Sequence, residues 1–312
     1  MIDVTVVGDI NVDLLTNPII NYPARDKQIT TEMISLNPGG SAFNLAIACT
    51  KLGLKTKFIG KIGKDIFGDY LQKIIKETKL INRVKISKDE KTGITFGIAF
   101  KDKTRSFISY KGTNNTFSIN DFKLSEIEGK VLAISGYNLL NSLRRDVPRL
   151  INYAKENGMK VGLDPNWDPN GWTQERLNDI FDIIKRLDWF LPDINEGEAI
   201  AYTKNDVLMV KKMLNLGAKC LLLKEGSKGC LLGQENYVKL IPGFTVESIN
   251  TTGAGDVFFA AFIKAQLMGY SIEDSVIFAN AAGALSTTKI GMNRYPTFDE
   301  VKSFAEPRMQ FK

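Results

Sequence analysis

Seven residues, Asn250-Thr251-Thr252-Gly253-Ala254-Gly255-Asp256, run directly into the apolar stretch Val257-Phe258-Phe259-Ala260-Ala261-Phe262-Ile263. Their types and spacing combine an anion cradle with a carboxylate. A chain that enters a helix through small residues leaves the first backbone N–H groups without helical partners, and the positive end of the helix dipole adds to their pull on a phosphate. Gly253, Ala254 and Gly255 keep that approach open. Asp256 sets a carboxylate at the rim, where it can take a proton from a hydroxyl that attacks the phosphorus held by those amides. Taken alone, the same string is equally an ordinary helix start, with Thr251 or Thr252 as N-cap and Asp256 complementing the dipole.

A second glycine-rich helix start lies far upstream. Pro38-Gly39-Gly40-Ser41-Ala42-Phe43-Asn44 opens an Ala-rich segment that is stopped by Gly53. Together the two motifs resemble the paired signatures of the PfkB family of carbohydrate kinases. Other landmarks follow in family order across nearly all 312 residues. Val4-Thr5-Val6-Val7 with Gly8-Asp9-Ile10-Asn11-Val12-Asp13 resembles the first strand and its sugar-binding turn. Asn195-Glu196-Gly197-Glu198 resembles the Asn-x-x-Glu element near phosphates and metal. Lys224-Glu225-Gly226-Ser227-Lys228-Gly229 resembles the hairpin over the nucleotide, and Asn280-Ala281-Ala282-Gly283-Ala284 the helix beside the adenine.

The resemblance implies a ribokinase-like α/β fold, with a mostly parallel central sheet flanked by helices and a small β-sheet lid. It implies transfer of the γ-phosphoryl of ATP to a primary hydroxyl of a small sugar, with a nucleoside as the second choice of acceptor and a catalytically silent sensor as a further alternative. Asp256 would be the base, and the amides of Gly253, Ala254 and Gly255 would stabilise the transferring group. Asn195, Glu198, Lys224, Gly226, Ser227, Gly229 and Asn280 would meet ATP, with Glu198 reaching Mg²⁺ through water. Asn11, Asp13, Gly39, Gly40 and Asn44 would meet the acceptor hydroxyls, and Phe107 and Tyr110, aromatic residues of the lid, would bind the acceptor and could stack on the base of a nucleoside. Asn250 stands where the family commonly has Asp; it marks a place for a monovalent cation but lacks the charge. Asp168 follows Asp164-Pro165-Asn166-Trp167 where an Arg often stands in fructokinases, which argues against a clamped substrate carboxylate. Lys103, Arg105 and Lys111 keep a sugar phosphate acceptor open.

Composition narrows the field. With no histidine, His-dependent hydrolase triads and the common zinc hydrolase sites are excluded, whereas a kinase with an aspartate base loses nothing. The formal charge of +6 is spread over 41 basic and 35 acidic residues with no dense basic block, so no nucleic-acid partner is expected. No apolar run has membrane-spanning length and no signal peptide is visible, so the expectation is a cytoplasmic protein without membrane contact. Cys49, Cys220 and Cys230 are an odd set, read as reduced thiols. Gly8-Asp9-Ile10-Asn11-Val12-Asp13 lacks the Gly-x-Gly-x-x-Gly turn of a dinucleotide-binding dehydrogenase.

The elements that must hold these residues are legible as alternating apolar runs and amphipathic segments. Strands are predicted near 4–7, 56–59, 131–135, 160–163, 189–191 and 219–223, and helices over 41–52, 67–79, 144–157, 174–186, 206–216, 255–268 and 272–287. Segments 14–36 and 93–116 break this rhythm; 96–100 and 106–110 alternate at period two about the turn Lys101-Asp102-Lys103. They predict a separate small sheet, a lid on a single domain of residues 1–312. An exposed sheet edge recruits partners, and lids in the family sometimes pair, so a homodimer through the lid is expected.

Overall fold

The computed structural model describes residues 1–102, 104–235 and 237–309. Its strands are β1 (Val4–Gly8), β2 (Asn11–Thr16), β3 (Ile34–Gly39), β4 (Thr56–Gly63), β5 (Ile81–Ser87), β6 (Gly93–Ala99), β7 (Arg105–Tyr110), β8 (Val131–Ser135), β9 (Lys160–Leu163), β10 (Trp189–Phe190), β11 (Leu221–Lys224), β12 (Gly229–Gln234) and β13 (Tyr237–Pro242). Among the described residues, nine form one sheet in the order β13-β12-β11-β10-β9-β8-β1-β4-β5. Every pairing from β11 to β5 is parallel, and β12 and β13 close the other edge antiparallel.

Helices cover both faces, so inner strands bury alternate residues in two different cores. Val4 and Val6 enter one and Val7 the other, which is why such strands read as unbroken apolar runs. One core packs under helices Ser41–Lys51, Ala254–Leu267 and Ile272–Ser286, the other under Val147–Glu156, Gln174–Ile184 and Asp206–Asn215. The helix predicted over 144–157 is two pieces, Asn141–Arg144 and Val147–Glu156, because Pro148 brings no N–H and sits in the first turn of the second.

From β1 the chain leaves toward β4 on one side and returns as β8 on the other. This is the switch point of the sheet, where a crevice opens beyond the carboxyl ends of the strands. The second sheet stands over that end, in the order β3-β2-β6-β7. It is tied down where β1 becomes β2: Asn114 Nδ2 donates to Ile10 O and Ile10 N donates to Asn114 Oδ1, both at 3.1 Å. Asn114 belongs to a helical turn, Thr113–Thr116, so the small sheet ends earlier than the predicted 93–116 segment.

Strand register gives the small sheet two unlike faces. Asp13, Thr95 and Ser109 share one row and face, as does Phe107 two residues along; Leu36, Leu14, Phe96 and Ile108 form a row on the other. Tyr110 pairs with Ile94 and therefore points to the apolar outer face, away from Asp13. Its expected place beside the acceptor is thereby corrected: strand alternation allows that for Phe107 but not for Tyr110.

Candidate active site

The late glycine-rich segment starts a helix as its sequence requires. Gly253 is the N-cap at φ 76°, and the first helical bond runs from Val257 N to Gly253 O at 3.1 Å. The amides of Gly255 and Asp256 precede that bond and have no carbonyl of their own helix to meet. The Ala254 amide, expected in the cradle, turns back to Thr251 O at 3.3 Å. Asp256 is buried, and its Oδ2 accepts from Asn44 Nδ2 at 3.0 Å. Burial, with the nearby Asp164 carboxylate, pushes the Asp256 carboxyl up to about 8 despite Asn44 and Lys224.

Asn44 comes from the upstream helix start. That start is not a second anion site, because Asp9 fills it: Oδ2 accepts from Ser41 N at 3.1 Å and Oδ1 from Ala42 N at 2.9 Å. Gly40, at φ 97°, makes the turn that brings this helix beside the later one. Asn44 Oδ1 then accepts from Arg294 Nη2 at 2.8 Å and from the Tyr295 hydroxyl at 2.9 Å, so the amide can present only its Nδ2 donor to Asp256.

Where β1 passes into the small sheet, Asn11 Nδ2 donates to Asp13 Oδ1 at 2.7 Å, and burial raises the Asp13 carboxyl to about 7 while Arg294 opposes the rise. Gly39 lies so close that a Cβ would meet the Asp13 carboxylate at 2.3 Å, which explains why a glycine stands there. Asn11, Asp13, Gly39, Gly40 and Asn44 are thus gathered around one end of the crevice.

At its other end Lys224 Nζ donates to Asp164 Oδ2, and a Cβ on Gly255 would lie 3.3 Å from Lys224 Nζ. The ammonium sits under the cradle, and its neighbouring carboxylates hold its pKa above the usual lysine value. Asp193 and Glu196 join it through a capping box that starts helix Ile194–Ala201; Glu196 Oε2 accepts from Asp193 N at 2.8 Å and Asp193 Oδ1 from Glu196 N at 2.9 Å. Burial and Asp164 raise the Glu196 carboxyl. Asn195 and Glu198, the expected pair, do not reach this cluster: Asn195 is exposed and Glu198 faces Lys204 at 3.8 Å. The four-residue spacing is right but belongs two residues earlier, because Asp193 is the residue that caps the helix.

The pfkB family carbohydrate kinase model matches residues 1–297. This chain belongs to that family. It is 30% identical over 310 residues to a ribokinase of Haemophilus influenzae, covering 97% of this chain and 98% of that one. It is 31% identical over 274 residues to a probable fructokinase-5 of Arabidopsis thaliana, covering 81% and 83%. A Thermotoga maritima ribokinase superposes with TM-score 0.82 at 27% identity, covering 98% of this chain and 100% of that one. A fructokinase double mutant from Vibrio cholerae, solved with fructose, ADP and a potassium ion, superposes with TM-score 0.80 at 23% identity, covering 98% of both.

Several residues of this kinase reach the site unannounced by any motif. Arg294 ends a 3-10 turn, Gly291–Arg294, that follows helix Ile272–Ser286, and its Nη1 donates to Thr252 O at 3.0 Å. Arg105, on β7, crosses to the same segment: Nη1 donates to Asn250 Oδ1 at 3.0 Å and to the Thr252 hydroxyl, and Nη2 to Thr251 Oγ1 at 2.9 Å. Asn250 Oδ1 also accepts from Thr252 N at 2.9 Å, so both its lone pairs are used. A monovalent cation does not fit on Asn250, which has neither charge nor a spare lone pair.

The remaining expected residues are placed as follows. Asn280 is buried and its Nδ2 donates to Ile241 O at 3.0 Å and to Pro242 O at 3.3 Å, tying helix Ile272–Ser286 to β13. Gly226 and Ser227 are exposed at the β11–β12 turn, and Gly229 is buried at the start of β12. Lys111 Nζ donates to Asn141 Oδ1 at 3.4 Å; Lys103 lies outside the described residues. Asp168 is fully buried against Arg176, Nε to Oδ2 2.8 Å.

Proposed function

We propose that this ATP-dependent sugar kinase transfers the γ-phosphoryl group to a primary hydroxyl of a small free sugar, with Asp256 as the base. The observation that carries this is a buried carboxylate held by Asn44 at 3.0 Å, in the first turn of a helix whose Gly255 and Asp256 amides have no helical partner. Asp256 Oδ1 takes the hydroxyl proton as the oxygen attacks phosphorus. The amides of Gly255 and Asp256, with Lys224 beneath, receive the charge on the transferring oxygens. Asn11 and Asp13 accept and donate to the neighbouring hydroxyls, orienting the acceptor.

The residues also fit Mg²⁺. Three carboxylates, Asp164, Asp193 and Glu196, surround one ammonium, and burial first, then their mutual repulsion, raises the Asp164 and Glu196 carboxyls. Among the described residues no group of three ligating side chains is placed to grip an ion directly, so these acids would hold it through water. An ion held there would supply positive charge to the phosphate oxygens.

A free sugar is favoured over a nucleoside because the inner face of the small sheet offers hydrogen-bonding Asp13, Thr95 and Ser109, with Phe107 the one lid aromatic of the expected pair on that face and Tyr110 on the other. A sugar phosphate is disfavoured because Arg105 and Lys111 are already engaged by protein oxygens. A coupled assay with ATP and Mg²⁺ across hexoses, pentoses, their phosphates and nucleosides tests the reading. Turnover is expected first with a free hexose or pentose. Turnover with nucleosides alone would replace the sugar, and ligand binding without any turnover would make the protein a sensor.

A further inference from the structure

The loop before the cradle holds two cations of its own. Arg105 and Arg294 approach it from two separate elements, the first from β7 and the second from the 3-10 turn Gly291–Arg294. Between them they use Asn250 Oδ1, the Thr251 and Thr252 hydroxyls and Thr252 O. No carboxylate lies within residues 249–255, and the nearest acids, Asp13 and Asp256, already face Arg294, so a third positive charge there would join two guanidinium groups. A fold relative was solved with a potassium ion bound, so the contrast concerns this chain rather than the architecture.

Placement gives these side chains a task. Arg294 also reaches Asn44, which holds Asp256, and its Nη2 would lie 3.0 Å from a Cβ on Gly253. One guanidinium therefore touches the base's holder, the carbonyl before the N-cap and the N-cap itself. Arg105 fixes the preceding residues and comes from the small sheet, so its charge is delivered by the element that covers the acceptor. Guanidinium groups suit this because their fixed donors match several oxygens at once and stay charged at any working pH.

We propose that Arg105 and Arg294 take the place of a monovalent cation beside the anion cradle, so that this kinase works without potassium. The inference rests on the kinase reading, and a melting comparison without substrate separates the two. Turnover and melting temperature are compared at equal ionic strength in ~100 mM potassium, sodium or tetramethylammonium chloride, the last too large to enter a cation site. The expected result is turnover within about twofold in all three and melting temperatures that coincide. A potassium-specific rise in turnover of roughly tenfold, or in melting temperature of several degrees, would overturn it. The melting comparison needs no substrate and decides the matter even where no sugar is phosphorylated.

Arg105→Ala removes a half-exposed side chain and leaves the core untouched. It is expected to lower kcat/KM roughly ten- to a hundredfold, with part of the loss restored by guanidinium ion at tens of millimolar. Full turnover of Arg105→Ala in tetramethylammonium chloride, or a loss that guanidinium ion leaves unchanged, would remove Arg105 from this role.

Discussion

Asp256 combines two properties that pull against each other. A carboxyl raised to about 8 is a strong base once ionised, but near neutral pH most of the free enzyme still carries its proton. The rate kcat/KM, which reports the free enzyme, is therefore expected to rise with pH through an apparent value near 8. Asp256→Asn should fold and lose turnover by about a thousandfold; unchanged turnover would end its assignment as base. The same ionisation acts on stability. Asp9, Asp13 and Asp256 are raised to about 6, 7 and 8 by burial, so each favours the folded state when protonated, and that contribution is lost as pH rises through those values. The ligand-free protein should melt at a lower temperature at pH 8 than at pH 5, and the slope should be shallower in Asp256→Asn. Asp256 was legible because glycines and a helix surround it in one contiguous string. Arg294 was not, because it meets Asn44 across 250 residues of chain and no local pattern marks such a contact. Asn195 and Glu198 drew attention as a spaced pair, whereas the cap that orients Glu196 is set by Asp193 and the extended backbone before the helix.

At the scale of elements, the two helix starts do different work although both are glycine-rich. Asp9 caps helix Ser41–Lys51 from within, leaving the free amides to helix Ala254–Leu267 alone. Gly253 is the hinge of the second, left-handed and within 3.0 Å of Arg294 by its absent Cβ. Gly253→Ala should cost about 1 kcal/mol of stability from the backbone and a further loss of turnover, because Arg294 must give way. Gly158 is a matched control: it is also left-handed, at φ 72°, with nothing within 4 Å of a Cβ. Its alanine variant should show the stability loss with turnover intact; equal losses of turnover in both would detach Gly253 from the site. The parallel strands 131–135 and 160–163 were readable because burial on both faces leaves the apolar runs 131–134 and 161–163. By contrast β5 and β13 are largely exposed along one or both faces and carry Lys or Arg among their apolar residues, which erases both periodicities. The break at 145–146 hid because apolar spacing continues through it and Pro148 is tolerated in a first turn.

For the whole molecule, the unlike faces of the small sheet pose a question that the active site leaves unanswered. The inner face is explained by Asp13, Thr95 and Ser109 over the crevice. The outer face carries Ile34, Leu36, Ile108 and Tyr110 at 52%, 40%, 66% and 56% exposure, beside Leu14 and Phe96. Such a continuous apolar surface on a strand-edged sheet suits association, and a second copy would supply the matching face by two-fold symmetry. Pairing there would also brace the strand that carries Arg105 and so steady the loop before the cradle. The protein is expected to elute as a dimer in size-exclusion chromatography with light scattering. Ile108→Glu, which puts a charge in the middle of the row and leaves the inner face alone, should give a folded monomer. That monomer should show a raised KM for the sugar, since an unbraced sheet closes less readily over its acceptor. A wild-type monomer at micromolar concentration, or a dimer indifferent to Ile108→Glu, would mean that some other contact covers this face or that it stays bare.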